Sequence, residues 1–246
     1  MRNLSLLACV IVLVSAVPAA AQSWPERVFI SFNGAYQPAT HDFSDRFEFE
    51  RNLETGSTQT DYPVKGGFTF DGGGAYRLWK NLAAGVAFSY FTRDDVGHTT
   101  SSVPHLLLFN QPRTVTGDAS GVSRTERAVH VQVMYLWKSS GALRLAISGG
   151  PSFVSVEQDL VSDVTVSETY PFDTATFGSA TTTRAKGSKP AFNVGADVMW
   201  MFAPNIGVCG IVRFSQAKVD LDAPGNRTVS VDVGGGYAGG GIRLVF

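Results

Sequence analysis

A period-2 alternation of apolar and polar residues recurs along most of this chain and constrains its fold more than any other feature. In 128–137, the odd positions carry Val, Val, Val, Tyr and Trp, whereas His130 and Gln132 fall on the opposite face. Successive side chains of a β-strand point to opposite faces, so the pattern predicts a strand between two different environments. Seven further segments alternate in the same way, at 28–36, 68–78, 82–93, 143–153, 192–202, 208–215 and 237–246.

The connections between these eight predicted strands alternate in length. Short turns join strands in pairs, at 80–81, 138–142 and 203–205. Long polar stretches separate the pairs, at 38–66, 94–123, 158–188 and, shorter, 221–229. This alternation of short and long connections is typical of an eight-stranded antiparallel up-and-down transmembrane β-barrel, with long extracellular loops and short periplasmic turns. An even strand count places both mature termini on the short-turn side.

Two of the long stretches contain further alternation, at Arg46–Glu50 and Asp163–Ser167. We interpret both as strand extensions that rise above the membrane. A ten-stranded barrel is the alternative.

Charge and aromatic residues indicate which face meets lipid. A soluble lipocalin-like barrel also has eight strands, but its apolar residues point inward and its outer face is polar. Here the charged side chains of the strands fall opposite the apolar face, as at Asp71, Arg77, Arg144, Asp197, Arg213 and Arg243. Aromatic residues sit near strand ends, where interfacial girdles belong, at Tyr36, Tyr76, Trp79, Tyr90, Trp137, Trp200, Phe202 and Phe246. The pattern favours a lipid-facing apolar exterior over a soluble core.

Composition agrees with this interpretation. Charged residues make up 17% of the chain, below the roughly 25% of ordinary soluble domains. The net charge is -1, from 20 basic and 21 acidic residues, which argues against a nucleic-acid partner because no basic stripe is available for phosphates. A helical membrane protein needs about 20 consecutive apolar residues per span, and no such run follows residue 17.

The N-terminus predicts a secretory signal peptide. Arg2 precedes an apolar run at 4–17, and Ala19 and Ala21 supply an A-x-A cleavage site. We expect residues 1–21 to be removed, leaving a single outer-membrane barrel domain at 22–246. Cys9 lies too early in the apolar run for a lipid-attachment site, so the mature chain keeps Cys209 alone and forms no internal disulfide.

The last strand, Gly239–Phe246, alternates and ends on an aromatic residue. With the signal peptide and the alternation of short and long connections, this ending makes the chain resemble the small eight-stranded outer-membrane β-barrel proteins of diderm (Gram-negative-type) bacteria, over residues 27–246. The resemblance implies a monomer in the cell outer membrane, in contact with membrane lipids and lipopolysaccharide. It also implies that Phe246 is the assembly signal read by the barrel-assembly machinery. The chain departs from that family in its long loops, so the resemblance assigns no specific activity.

Three classes of function remain open: a structural or surface-interaction barrel, a passage for small or apolar molecules, and a lipid-A-modifying enzyme. We expect the first, with a lumen filled by a charge network that excludes a porin-like channel: Asp71, Arg77, Glu126, His130, Arg144, Asp197, Arg213 and Arg243.

The sequence predicts no catalytic residue, cofactor or metal. Barrel deacylases pair His with Ser two residues on, but Gln132 occupies that position, and Glu126 is an alternative partner for His130 on the same face. His98 and His105 lack a metal-ligand pattern. The glycine runs at 72–74, 234–236 and 239–241 lack the Lys-Ser/Thr of a phosphate loop and predict strand curvature instead. Three cations near the outer rim are candidates for lipopolysaccharide phosphates or for a solvated rim: Arg184, Lys186 and Lys189.

Overall fold

A computed structural model describes residues 26–38, 42–138 and 141–246, so the predicted signal peptide lies outside the described residues. The described chain is almost entirely β-structure, and no helix in it is long and apolar enough to cross a membrane. Its strands are β1 Val28–Gln37, β2 Phe43–Arg51, β3 Glu54–Tyr62, β4 Gly67–Trp79, β5 Leu82–Val103, β6 Arg113–Lys138, β7 Leu143–Glu168, β8 Ala175–Met201, β9 Ile206–Ala223 and β10 Arg227–Val245.

Eight of these strands form a closed antiparallel ring in the order β5-β4-β1-β10-β9-β8-β7-β6, closed by the β5–β6 pairing. All eight strands predicted from alternation lie in the ring, and the eight-stranded barrel is confirmed. The short connections lie where they were predicted, as between Trp79 and Leu82. The first and last strands of the chain, β1 and β10, are neighbours in this ring, with Phe29 opposite Val245.

The remaining two strands, β2 and β3, form a hairpin outside the ring. β4 pairs with β5 as far as Thr69 opposite Phe91, and β3 becomes the neighbour of β5 from Asp61 opposite His98. Arg46–Glu50 therefore belongs to a separate hairpin strand and does not extend a ring strand. Asp163–Ser167 lies within β7 and does extend a ring strand. The stretches expected to be long loops are built largely from strand.

The exterior of the barrel changes from apolar to polar partway along the six long strands β5 to β10. In β9 the odd positions are buried throughout, while the exposed even positions are apolar from Ile206 to Phe214 and polar from Gln216 to Asp222, glycine aside. We call the apolar-sided part the membrane segment. We call the part beyond it the outer segment, at 42–66, 92–127, 155–190 and 216–232.

Aromatic side chains ring the membrane segment at both of its ends. At the short-turn end the exposed aromatics include Tyr76, Trp79, Trp200, Phe202 and Phe246, and at the outer end they include Tyr36, Phe68, Phe153, Phe192 and Phe214. Six of the eight aromatics that the sequence placed in interfacial girdles lie in these rings, whereas Tyr90 and Trp137 are only partly exposed.

The interior contains two apolar clusters with polar residues between them. One cluster lies toward the short-turn end and includes Phe29, Leu136 and Met199. The other fills much of the outer segment with aliphatic side chains, including fully buried Leu160 and Leu221. The outer segment is therefore packed like a soluble protein, apolar inside and polar outside.

Candidate functional site

The polar layer of the lumen is the candidate site that the sequence predicted. Of its eight residues, the structure buries seven, and only Arg77 is half-exposed. An Arg or Lys on the lipid face at mid-membrane costs roughly 2–4 kcal/mol, which drives the charged positions of the alternating strands inward. The seven buried residues are Asp71, Glu126, His130, Arg144, Asp197, Arg213 and Arg243.

Asp71 is the centre of one cluster in this layer. Arg213 forms a short ion pair with its Oδ2 atom, and the Tyr237 hydroxyl donates to the same oxygen at 2.9 Å. The Asn33 amide donates to Oδ1 at 2.7 Å. Strand register explains the meeting, because Asn33 lies opposite Asp71 and Tyr237 lies opposite Arg213.

A second ion pair adjoins the first. Arg243 Nη2 lies 2.9 Å from Asp197 Oδ1, and Arg243 Nη1 donates to Asn33 Oδ1 at 3.2 Å. Asn33 thus links the two clusters, donating to Asp71 and accepting from Arg243. The Cys209 thiol contacts the same Asn33 oxygen at 3.3 Å.

Glu126 belongs to a third cluster, at the outer end of the polar layer. Arg124 Nε lies 2.7 Å from Glu126 Oε1, and the Gly234 backbone N–H donates to Oε2 at 2.9 Å. Gly234 has a φ of +83°, a conformation that side chains rarely adopt, so glycine is needed there to aim this N–H. Arg144, at the short-turn end, pairs instead with Glu26 at 2.7 Å.

His130 lies between two serine hydroxyls and is fully buried. Its Nε2 atom is 3.1 Å from Ser89 Oγ, and its Nδ1 atom is 2.7 Å from Ser152 Oγ. The alternative Glu126 partner is engaged elsewhere by Arg124. A nucleophilic Ser–His site needs a carboxylate to orient the imidazole, and here both ring nitrogens are occupied by serines.

Several members of the polar layer were missed by the sequence analysis: Asn33, Gln37, Ser89, Arg124, Gln132, Ser152, Asn193 and Tyr237. Gln132, for example, donates to Asn193 at 3.0 Å, and Asn193 donates to Ser152 at 2.8 Å. Their signal in the sequence was their position on the charged face of each strand. Which of them meet depends on register between strands, which alternation does not encode.

Little open space remains between these groups. One cavity beside Asp197, Arg213 and Arg243 has a volume of about 30 Å³, and one beside Glu126 and Tyr237 has about 20 Å³. Such volumes hold about one or two water molecules.

The three cations proposed for the outer rim lie on the outer segment and each has a carboxylate partner. Arg184 pairs with Asp159 at 2.9 Å, Lys186 with Glu157 at 3.3 Å, and Lys189 with Asp220 at 2.6 Å. Lys186 lowers the pKa of Glu157, and Lys189 lowers the pKa of Asp220. A lipopolysaccharide phosphate would have to compete with these carboxylates.

A closed strand ring, an apolar exterior between two aromatic girdles and a polar lumen together define an outer-membrane β-barrel protein. Closure satisfies the backbone hydrogen bonds without an exposed sheet edge, which a lipid environment requires. The chain thus has the fold of the small eight-stranded barrels of the bacterial outer membrane.

Comparison with solved structures finds proteins of similar fold at low identity. The chain is similar to Neisserial surface protein A (12% identity, TM-score 0.48, covering 89% of this chain and 97% of that one) and to OprG of Pseudomonas aeruginosa (12%, 0.49, 90% and 96%). It is also similar to the outer membrane protease OmpT of Escherichia coli (9%, 0.48, 93% and 99%). No protein-family model matches the chain, and no curated protein matches it.

Proposed function

We propose that this chain is a non-enzymatic outer-membrane barrel that acts in envelope structure or surface interaction, with a lumen closed to solutes. The observation that carries the proposal is that the interior is filled at two successive levels. In the membrane segment, Arg213 and Arg243 each pair with a carboxylate across the lumen. In the outer segment, Leu160 and Leu221 belong to a fully buried apolar core.

With a closed lumen, the function of the protein lies on its outer surface. Eight strands enclose an interior just wide enough for side chains, whereas aqueous porins need about 16 strands. The strands nevertheless continue well past the outer aromatic girdle: β7 runs on from Phe153 to Glu168. This large ordered structure beyond the bilayer supports a role in recognition or support at the cell surface.

Planar-bilayer recording of the refolded protein tests the closed lumen. We expect the wild type to be quiet and Asp197→Ala to be leakier or less stable, because it leaves Arg243 without its carboxylate. Asp220→Ala is the matched control, since Asp220 is exposed on the outer segment and should leave the recording unchanged. Frequent, large, long-lived openings in the wild type would contradict the proposal.

The surface role is tested separately on producing cells. Cells that display the barrel should differ from cells without it in adhesion to host-cell or abiotic surfaces, with lipid A of unchanged mass. Equal adhesion would remove the surface-interaction role, and a changed lipid A mass would indicate an enzyme.

A further inference from the structure

The outermost end of the protein carries an unexpected cluster of exposed apolar side chains. They come from three connections: the β2–β3 turn, the β5–β6 connection at 104–112 and the β7–β8 connection at 169–174. We call them the apical patch, and its members are Leu53, Leu106, Leu107, Leu108, Phe109 and Tyr170. Leu53 is 93% exposed, Tyr170 79% and Phe109 65%.

The lipid-facing belt does not account for this patch. Among the described residues of the outer segment and its connections, the large apolar side chains that are exposed comprise the apical patch and Val96. The other large apolar side chains of that segment point into its core or are partly covered. Exposed apolar side chains gathered at one end of an otherwise polar exterior are typical of a site of interaction with a protein or a membrane.

Hydrogen bonds hold the three connections together. His105 Nδ1 accepts bonds from the Leu107 and Leu108 backbone N–H groups at 3.0 and 3.1 Å. The Asn110 backbone N–H donates to Glu54 Oε1 at 2.7 Å, which ties the β5–β6 connection to the β2–β3 hairpin.

Buried Arg113 completes this support. It donates to the Phe172 carbonyl and to the Pro104 carbonyl, both at 2.7 Å, and pairs with Glu168 at 2.6 Å. The apolar side chains are therefore presented on a fixed frame, which lowers the entropic cost of binding.

Backbone conformation adds an independent observation. Leu53 and Phe172 have φ values of 64° and 72°, in the left-handed region where bulky side chains are uncommon. Gly or Asn would adopt that conformation at lower cost. Two large apolar residues thus occupy strained positions in two of the three connections, where such strain often serves function.

The charges around the patch are mainly negative. The segments 48–57, 104–113 and 168–174 hold five carboxylates and two arginines. Both arginines, Arg51 and Arg113, pair with Glu168. The remaining exposed carboxylates are Glu48, Glu50 and Asp173, of which Asp173 lies 3.8 Å from His105 Nε2. Such a rim repels an anionic lipid surface and complements the outward ammonium groups of choline or ethanolamine headgroups.

We propose that the apical patch inserts shallowly into a second bilayer, made of zwitterionic lipids, that faces the membrane the barrel spans. The inference deepens the surface-interaction role and rests on it. Apolar side chains at the tips of three connections form a protruding end, and a bilayer accepts such an end without a matching pocket. Leucine and phenylalanine enter the boundary between headgroups and acyl chains while the acidic rim stays among the headgroups.

Vesicle flotation tests the proposal with the full chain refolded into nanodiscs. The probes are phosphatidylcholine vesicles and phosphatidylcholine vesicles that contain phosphatidylserine. The wild type should float with the neutral vesicles and less with the anionic ones. The double variant Leu107→Gln/Phe109→Gln should bind neutral vesicles roughly tenfold or more weakly, because each side chain loses apolar burial.

Matched variants separate insertion from damage to the fold. Val96→Gln removes an exposed apolar side chain outside the patch and should bind like the wild type. Glu48→Gln/Glu50→Gln should bind anionic vesicles several-fold better, because two repelling carboxylates are gone; Asp173 is kept, since it lies 3.8 Å from His105. Resistance of the barrel to unfolding in detergent verifies that each variant is folded.

Three results overturn the lipid proposal: no binding of the wild type to neutral vesicles, a preference for anionic vesicles, or equal losses in Val96→Gln and in the double variant. If vesicles are not bound but the double variant still reduces adhesion of producing cells to a protein-coated surface, the partner is a protein. In that case the surface role stands. A conducting wild type in planar bilayers rejects the closed lumen instead, whatever the flotation result.

Discussion

At the scale of single residues, charge pairing determines which side chains the lumen tolerates. The Asp71 side chain is fully buried and the Arg213 side chain is 7% exposed, so neither charge is solvated by bulk water. Removing one member of such a pair leaves the other uncompensated, whereas removing both together is much less harmful. Tyr237 and Asn33 both donate to Asp71, so its carboxylate keeps these two hydrogen bonds when Arg213 is removed.

Arg213→Met should lower the free energy of unfolding by about 3–5 kcal/mol. The double variant Asp71→Asn/Arg213→Met should recover part of that loss, because the uncompensated charge is gone. Urea unfolding of the barrel in lipid vesicles measures both effects. Arg184→Met is the control, since its ion pair with Asp159 lies on the solvated exterior and its loss should change little. A double variant less stable than Arg213→Met would refute the pairing argument.

Tyr62 supports a prediction on pH. Burial raises the pKa of its phenol from 10.0 to about 12, and its oxygen accepts a hydrogen bond from the Val161 N–H at 2.7 Å. The neutral phenol is favoured in the folded outer segment, so its contribution is complete below pH 10 and is lost as the pH rises through about 12.

Unfolding of Tyr62→Phe should therefore lack this alkaline loss of stability. The variant should also be about 1–3 kcal/mol less stable at neutral pH, since the Val161 N–H loses its partner. Tyr170→Phe, at an exposed tyrosine, should retain the alkaline loss. Identical pH profiles for Tyr62→Phe and the wild type would rule out this assignment.

At the scale of strands, alternation predicted the ring but not its contacts. The segment 128–137 was recognised as a strand because its two faces differ, and His130 was placed in the lumen for the same reason. That His130 meets Ser89 and Ser152 follows from strand register, and register is set by pairings between strands distant in sequence. The alternation of Arg46–Glu50 was recognised but interpreted as an extension of a ring strand. The pairing of β3 with β5, which skips β4, is again a matter of register that alternation does not encode.

The apical patch was missed for a different reason. Its signal is plainly visible, since Leu106, Leu107, Leu108 and Phe109 are consecutive. They have no period, however, and periodicity is what distinguishes a strand from a connection in this sequence. A run of apolar residues in a connection between strands indicates an exposed apolar surface and does not indicate a further strand.

The final strand carries a prediction about assembly. The Val28 N–H donates to the Phe246 carbonyl at 2.8 Å, and the Phe246 N–H donates to the Val28 carbonyl at 2.9 Å. Phe246 is 57% exposed and lies in the aromatic girdle at the short-turn end. Phe246→Ala keeps the backbone bonds and removes only the aromatic ring, so we expect a lower outer-membrane yield if assembly reads that ring.

Phe202→Ala is the matched control, because Phe202 is 64% exposed in the same girdle but lies away from the terminus. Its yield should stay near that of the wild type. Equal yields for both variants would exclude a role for Phe246 as an assembly signal.

At the scale of the whole molecule, orientation follows from the unequal ends of the barrel. Proteases added to intact cells should cut within 104–112 and 169–174, which lie between strands at the outer end. The strand extensions should resist, because their backbone groups are hydrogen-bonded. The turns at 80–81 and 138–142 should be spared, and cleavage there in intact cells would reverse the orientation. Mass spectrometry of the released fragments locates the cuts.

The exposed side chains of β9 change from apolar to polar after Phe214, and this change determines which positions tolerate substitution. Beyond Phe214, exposed positions such as Lys218 and Asp220 contact neither lipid nor the core, so their replacement disturbs neither insertion nor packing. Substitutions can therefore accumulate at these positions while insertion of the membrane segment and packing of the interior stay intact.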